Sequence, residues 1–214
     1  KLNPKVGILL FGPPGTGKTL FAKTLAREIG SKYFEITASD IQGYPGEAEK
    51  NIIRLFDKLL ASEKAVLFID EAEWILRKRD EQTSSVMQRV TPTLLSQWSR
   101  VFEYEENYNL IFIIMTTNKP EMIDEAFLRS GRFDRIFYVE PPNENHIKEY
   151  IYSASDIISM IKFAKIEALN EKRDKITKND IIRAIKYVRP SIHIDTVENL
   201  KKIAKKFNAE SVHR

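Results

Sequence analysis

Apolar runs of four to seven residues alternate with segments of helical spacing through the first 140 residues of the chain. Val6–Phe11, Tyr33–Thr37, Ala65–Ile69, Leu110–Thr116 and Ile136–Val139 predict strands, most of them buried on both faces because polar residues do not alternate with the apolar ones. Helical patterns fill the intervals after residues 18, 46, 84 and 122; Phe21, Leu25 and Ile29 mark the first. Strand and helix repeated in this order predict right-handed crossovers and a mainly parallel sheet with helices on both faces. Ligands of such sheets sit at the carboxyl ends of the strands. After Pro141 and Pro142 the strand signal stops, and helices are predicted at about 154–170, 178–188 and 195–207. Thr177 and Asp180 have the spacing of a capping box, while Leu200, Ile203, Ala204 and Phe207 keep one face of the last helix apolar. The expected fold class is therefore α/β, with residues 1–142 forming the sheet domain and residues 143–214 a small all-helical lid.

Composition narrows the setting. At 214 residues, 43% hydrophobic and 30% charged, the chain is long enough for a substantial core and lacks an apolar run that would span a bilayer. Zero cysteines exclude disulfides and thiolate metal sites, and the setting expected from this is cytoplasmic. Lys1 in place of an initiating Met suggests that the chain begins inside a longer protein. Of the net charge of +4, residues 151–214 carry +6, which admits an acidic partner or nucleic acid; interspersed acids and the lack of an aromatic platform favour a solvated helical face.

Residues 12–19 read GPPGTGKT and carry the first chemistry. Gly12, Gly15 and Gly17 let the backbone close around a phosphate, with Pro13, Pro14, Thr16 and Leu20 completing the loop and helix entry. Lys18 is expected to reach the β- and γ-phosphates of ATP, and Thr19 to offer its hydroxyl to Mg²⁺. This is the P-loop NTPase pattern, because a strand precedes it and a helix follows. A second signature is AVLFID followed by Glu71: Asp70 at the end of a buried strand would meet the Mg²⁺ from the side opposite Thr19. Glu71 is placed to polarise a water, so ATP hydrolysis is expected beyond binding.

Together, GPPGTGKT, LFIDEAE, MTTN at 115–118 and LRSGRFDR at 128–135 resemble the AAA subgroup of the AAA+ ATPases over nearly the whole chain. The resemblance implies that Asn118 acts as sensor 1, orienting the attacking water. It implies that Arg129 and Arg132 project into the nucleotide site of a neighbouring subunit, making catalysis depend on a homo-oligomer, by family expectation a hexamer. The segment 41–52 is similar to the family's first pore loop, with Tyr44 at the aromatic position that grips a polypeptide substrate; Gly43 and Pro45 depart from the usual basic and aliphatic residues. Arg77 to Arg89 would overlie the second pore loop. SASDI at 153–157 is similar to a helix start that packs beside adenine, with Ala154 replacing the usual glycine. Only ten residues separate Pro142 from Ser153, where the family carries further lid helices, so residues are expected to be missing there. FEYEENYN at 102–109 replaces the Asp-Gly-Phe type of sequence that signals between subunits.

The resemblance implies ATP-driven remodelling, unfolding or disassembly of protein substrates by a ring. A nucleic-acid motor or clamp-loader role is the alternative, disfavoured by the SGRFDR block and the aromatic pore segment. A switch that only binds nucleotide is disfavoured by Glu71. No H-E-x-x-H occurs, and His146, His193 and His213 are scattered, so the metal expected is Mg²⁺ alone.

Overall fold

The computed structural model describes residues 5–37, 46–76, 87–103, 109–124, 127–128, 132–141 and 150–212. Five strands follow the predicted runs: β1 (Lys5–Phe11), β2 (Lys32–Ile36), β3 (Lys64–Ile69), β4 (Leu110–Thr117) and β5 (Arg135–Val139). Between them lie α1 (Lys18–Glu28), α2 (Glu47–Leu60), the single turn α3 (Glu73–Leu76) and α4 (Met87–Glu103). Where a helix was expected after residue 122, the described residues hold a 3₁₀ turn at Pro120–Met122 and a helical pair at Phe127 and Leu128. The C-terminal part contains α5 (Ala154–Asn170), α6 (Lys178–Tyr187) and α7 (Ile194–Lys206), with a two-residue antiparallel pairing of β6 (Tyr150–Ile151) and β7 (Ile192–His193). A last strand, β8 (Glu210–Val212), had no forerunner in the sequence pattern, because three residues at a sheet edge carry no periodicity.

All pairings in the main sheet are parallel, in the order β2-β3-β4-β1-β5-β8. Side chains alternate across it. Leu9, Leu67, Ile69, Ile113 and Met115 face α2 and α4, whose Phe56, Leu59, Leu94 and Trp98 complete that core. Ile8, Leu10, Val66, Phe68 and Ile114 meet Ala22 and Ala26 of α1 on the other side. Burial on both faces explains why these strands read as continuous apolar runs. Phe11 and Tyr138 extend the first face to Leu200 and Ala204, so α7 docks on the sheet domain, and β8 continues from it to pair with β5.

The expected capping box at Thr177 and Asp180 forms, and Ser153 with Asp156 builds another at the start of α5. Asp180 is fully buried, yet it accepts hydrogen bonds from Arg173, Arg183 and the Thr177 backbone. These donors hold its carboxyl far below the usual carboxylate range, Arg173 above all.

Candidate active site

Strand order builds the site. The phosphate-type loop leaves the carboxyl end of β1 and Asp70 follows β3, with β4 inserted between them. Residues at the end of β4 therefore lie between the loop and the acidic pair. The Gly12 N–H donates to the Thr117 carbonyl at 3.4 Å, and the Ala72 N–H donates to the Thr116 carbonyl at 2.8 Å, tying both loops to this strand.

Thr19 donates its hydroxyl to Asp70 Oδ2 at 3.0 Å. The other carboxylate oxygen accepts from the Glu71 N–H at 2.9 Å and from the Thr116 hydroxyl. Three donors thus orient one aspartate, which sequence reasoning had paired with Thr19 alone. Thr116 lies inside the MTTN motif, but only the three-dimensional contact distinguishes it from its neighbours.

Lys18 is buried, and its ammonium donates to the carbonyls of Gly12 at 3.0 Å and Pro13 at 2.7 Å, and to Thr16 Oγ1 at 3.3 Å. Burial pulls its pKa down from 10.5 to about 8, partly offset by Asp70 and then Glu73. A desolvated cation held by neutral acceptors at a helix N-terminus is suited to an anion, whose charged oxygens bind such a donor more strongly. Gly15 and Gly17 both lie in the left-handed region, with φ of 73° and 86°. A Cβ on Gly15 would meet Ser153 Oγ at 2.7 Å and Ser155 Oγ at 2.9 Å, so the loop abuts the start of α5 on either side of Ala154. Pro13 and Thr16 are buried, whereas Pro14 and Leu20 are exposed.

Glu71 is exposed and has a φ of 51°, a left-handed conformation uncommon for a residue with a Cβ. Asn118 is half-buried, and its Oδ1 is buried without a hydrogen-bond partner among the described residues. Buried acceptors are usually satisfied, so this oxygen at the end of β4 marks a place for a polar ligand or water. Arg132 is not part of this cluster. Its carbonyl lies beside Gly7, near the opposite end of β1. Tyr44 and Arg129 lie outside the described residues. Sequence reasoning also missed Ser191, whose hydroxyl and N–H both donate to Asp156 Oδ2, at 2.7 and 3.0 Å, joining the α5 cap to the segment before α7.

A parallel sheet of this order, with a glycine-rich loop opening α1 and an aspartate ending β3, defines a P-loop nucleoside-triphosphatase fold. The sequence matches the ATPase family associated with various cellular activities (AAA) over residues 8–141, and the chain belongs to that family. The cell division cycle protein 48 homolog of Archaeoglobus fulgidus is 31% identical over 248 aligned positions, covering 97% of this chain and 33% of that protein. The proteasome-activating nucleotidase of Methanothermobacter thermautotrophicus is 30% identical over 209 positions, covering 86% of this chain and 51% of that protein. The chain thus spans a third to a half of these relatives. Among solved structures, the FIGL-1 AAA domain in complex with ADP is similar with a TM-score of 0.77 at 25% identity, covering 94% of this chain and 78% of that one.

Proposed function

We propose that this chain is the ATP-hydrolysing part of an oligomeric ring, by family expectation a hexamer, that remodels, unfolds or disassembles protein substrates. The observation that carries the reading is the division of the site between the two ends of β1. Lys18, Thr19 and Asp70 gather at the carboxyl ends of the strands, while Arg132 sits beside Gly7. Gly7 and Gly12 are five residues apart on an extended strand, about 16 Å. An arginine side chain does not bridge that gap, which supports the reading that the Arg132 of one protomer serves the site of another.

In this reading the loop N–H groups and Lys18 hold the phosphates of ATP. Thr19 and Asp70 fit Mg²⁺: a hydroxyl and a carboxylate oxygen 3.0 Å apart are hard donors, and the described residues hold no competing cluster of three His, Cys, Asp or Glu. When bound, Mg²⁺ supplies charge neutralisation at the phosphates. Glu71 takes the proton of the attacking water, Asn118 orients that water through its unpartnered oxygen, and Arg132 from the neighbouring protomer stabilises the developing charge, with Arg129 beside it by resemblance. The base would lie near Ala154. Residues 1–142 form the nucleotide-binding body and 143–214 the lid, although α7 packs on the sheet and β8 joins it, and contact between Gly15 and the α5 start gives nucleotide state a direct route to the lid. Tyr44 would grip the polypeptide. A relative named as a proteasome-activating nucleotidase supports a protein substrate over nucleic acid.

Replacing Glu71 by Gln is expected to leave ATP bound and to stop turnover, as read by nucleotide titration and phosphate release; full-rate hydrolysis removes Glu71 from the base role. Replacing Tyr44 by Ala is expected to abolish unfolding of a tagged substrate, and unchanged unfolding dismisses the pore assignment.

A further inference from the structure

The segment that carries Arg132, within the LRSGRFDR block, is held by an arrangement that the proposed chemistry does not use. Where β5 begins, at the pairing of Arg135 with Ile8, the ladder is extended by one residue through a side chain. The Gly7 N–H donates to Asp134 Oδ2 at 2.7 Å, and the Asp134 N–H donates back to the Gly7 carbonyl at 2.8 Å. Gly7 leaves room for this closure. A Cβ there would lie 1.9 Å from the Arg132 carbonyl oxygen and 3.2 Å from Trp98 Cζ2. Between the two, the Phe133 ring stands edge-on to the buried Trp98, with centroids 5.2 Å apart at 88°. Arg132 itself makes no hydrogen bond or ion pair among the described residues, and its Nε is buried without a partner. Among the described residues, what fixes its placement is its backbone neighbours.

We propose that Asp134, acting through the Gly7 backbone, is a positioning residue that aims Arg132 at the nucleotide of the adjacent protomer. The proposal rests on the trans role of Arg132 proposed above. A carboxylate bonded to a strand N–H fixes the chain two residues after the arginine, and glycine at position 7 lets the arginine carbonyl pack against the strand. Losing either releases the finger while the loop, Asp70 and Glu71 of the same protomer keep their contacts. A misplacement on the order of 1 Å away from the reacting atoms is enough to cost about 10²-fold in rate.

The test measures ATPase kinetics and ATP affinity of the assembled protein with Asp134→Ala, Asp134→Asn and Gly7→Ala. Asp134→Ala and Gly7→Ala are expected to lower kcat about 10²-fold with ATP affinity unchanged. Asp134→Asn, which keeps an acceptor for the Gly7 N–H, is expected to recover most of the rate. Mixing Asp134→Ala subunits with Glu71→Gln subunits is expected to restore hydrolysis, because the former keep the base and the latter supply a well-placed Arg132. Unchanged kcat in Asp134→Ala overturns the proposal. So does loss of ATP binding, which would place the residue in its own protomer's site or fold. Mixtures of Arg132→Ala with Glu71→Gln separate the two levels: if these are rescued and the Asp134→Ala mixtures are not, positioning fails alone; if neither is rescued, the trans reading fails and takes the positioning role with it.

Discussion

Removing the Arg132 guanidinium should slow assembled protein severely and dissociated protein hardly at all, and the size of that contrast follows from the geometry. With the Arg132 backbone carbonyl beside Gly7 and the phosphate-type loop beginning at Gly12, the backbone separation along β1 is about 16 Å. Two unit charges at that distance interact by about 1 kcal/mol at an effective dielectric of about 20 and by about 0.3 kcal/mol in bulk water. Physiological salt, with a screening length of about 8 Å, reduces this further. Within one protomer Arg132→Ala is therefore expected to change the rate by only about fivefold. A guanidinium delivered to the transferring phosphoryl group is worth roughly 10³–10⁵ in rate, or about 4–7 kcal/mol. The assay is ATPase rate per protomer against protein concentration, for the unsubstituted chain and for Arg132→Ala, with assembly state measured by sedimentation on the same samples. The two rates should coincide within about fivefold below the assembly threshold and diverge by at least 10³ above it. A dissociated Arg132→Ala protein slowed by orders of magnitude would show that the arginine serves its own site, contrary to the distance argument.

Further predictions concern the loop, the base and the lid. Gly15→Ala introduces a Cβ at a φ of 73° within 2.7 Å of Ser153 Oγ, so thermal stability should fall by about 1–2 kcal/mol and ATP binding should weaken, both read by melts with and without nucleotide. Glu71→Gly removes a left-handed cost of about 1–2 kcal/mol while adding about 0.5–1 kcal/mol of chain freedom, so its melting temperature should match or exceed that of the unsubstituted chain although turnover is lost; a large drop would mean that the side chain itself holds the turn. Because Asp180 is far more acidic folded than unfolded, its contribution to the packing of α5 and α6 is fully present above the ordinary carboxylate pKa of 3.8 and is lost progressively as pH falls below it toward the folded value. Melts from pH 7 to pH 3 should therefore show an acid destabilisation that Asp180→Asn, already weakened at neutral pH, reduces. Equal pH slopes in the two proteins would contradict the linkage.

Much of the site was legible because its chemistry is local. Eight consecutive residues determine a loop, and a strand before it with a helix after it confirms the setting; Asp70 and Glu71 announce themselves at the end of a buried run. The five principal strands were legible because burial on both faces writes itself as unbroken apolar runs. β8 was not, since three residues pairing at an edge need no pattern of their own.

By itself, the amino-acid sequence singled out the candidate residues and put the glycine-rich loop and Asp70 at strand ends, because neighbours along the chain share one backbone and its periodicity. Only the tertiary structure decided who meets whom. Inserting β4 between β1 and β3 delivers the Thr116 hydroxyl to Asp70 and leaves Asn118 beside the loop. Docking α7 on Phe11 and Tyr138 ties the C-terminal helices to the sheet, and a carboxylate at position 134 closes on a glycine 127 residues away. Such contacts arise from crossover order and packing, where distance in sequence has no bearing on distance in space.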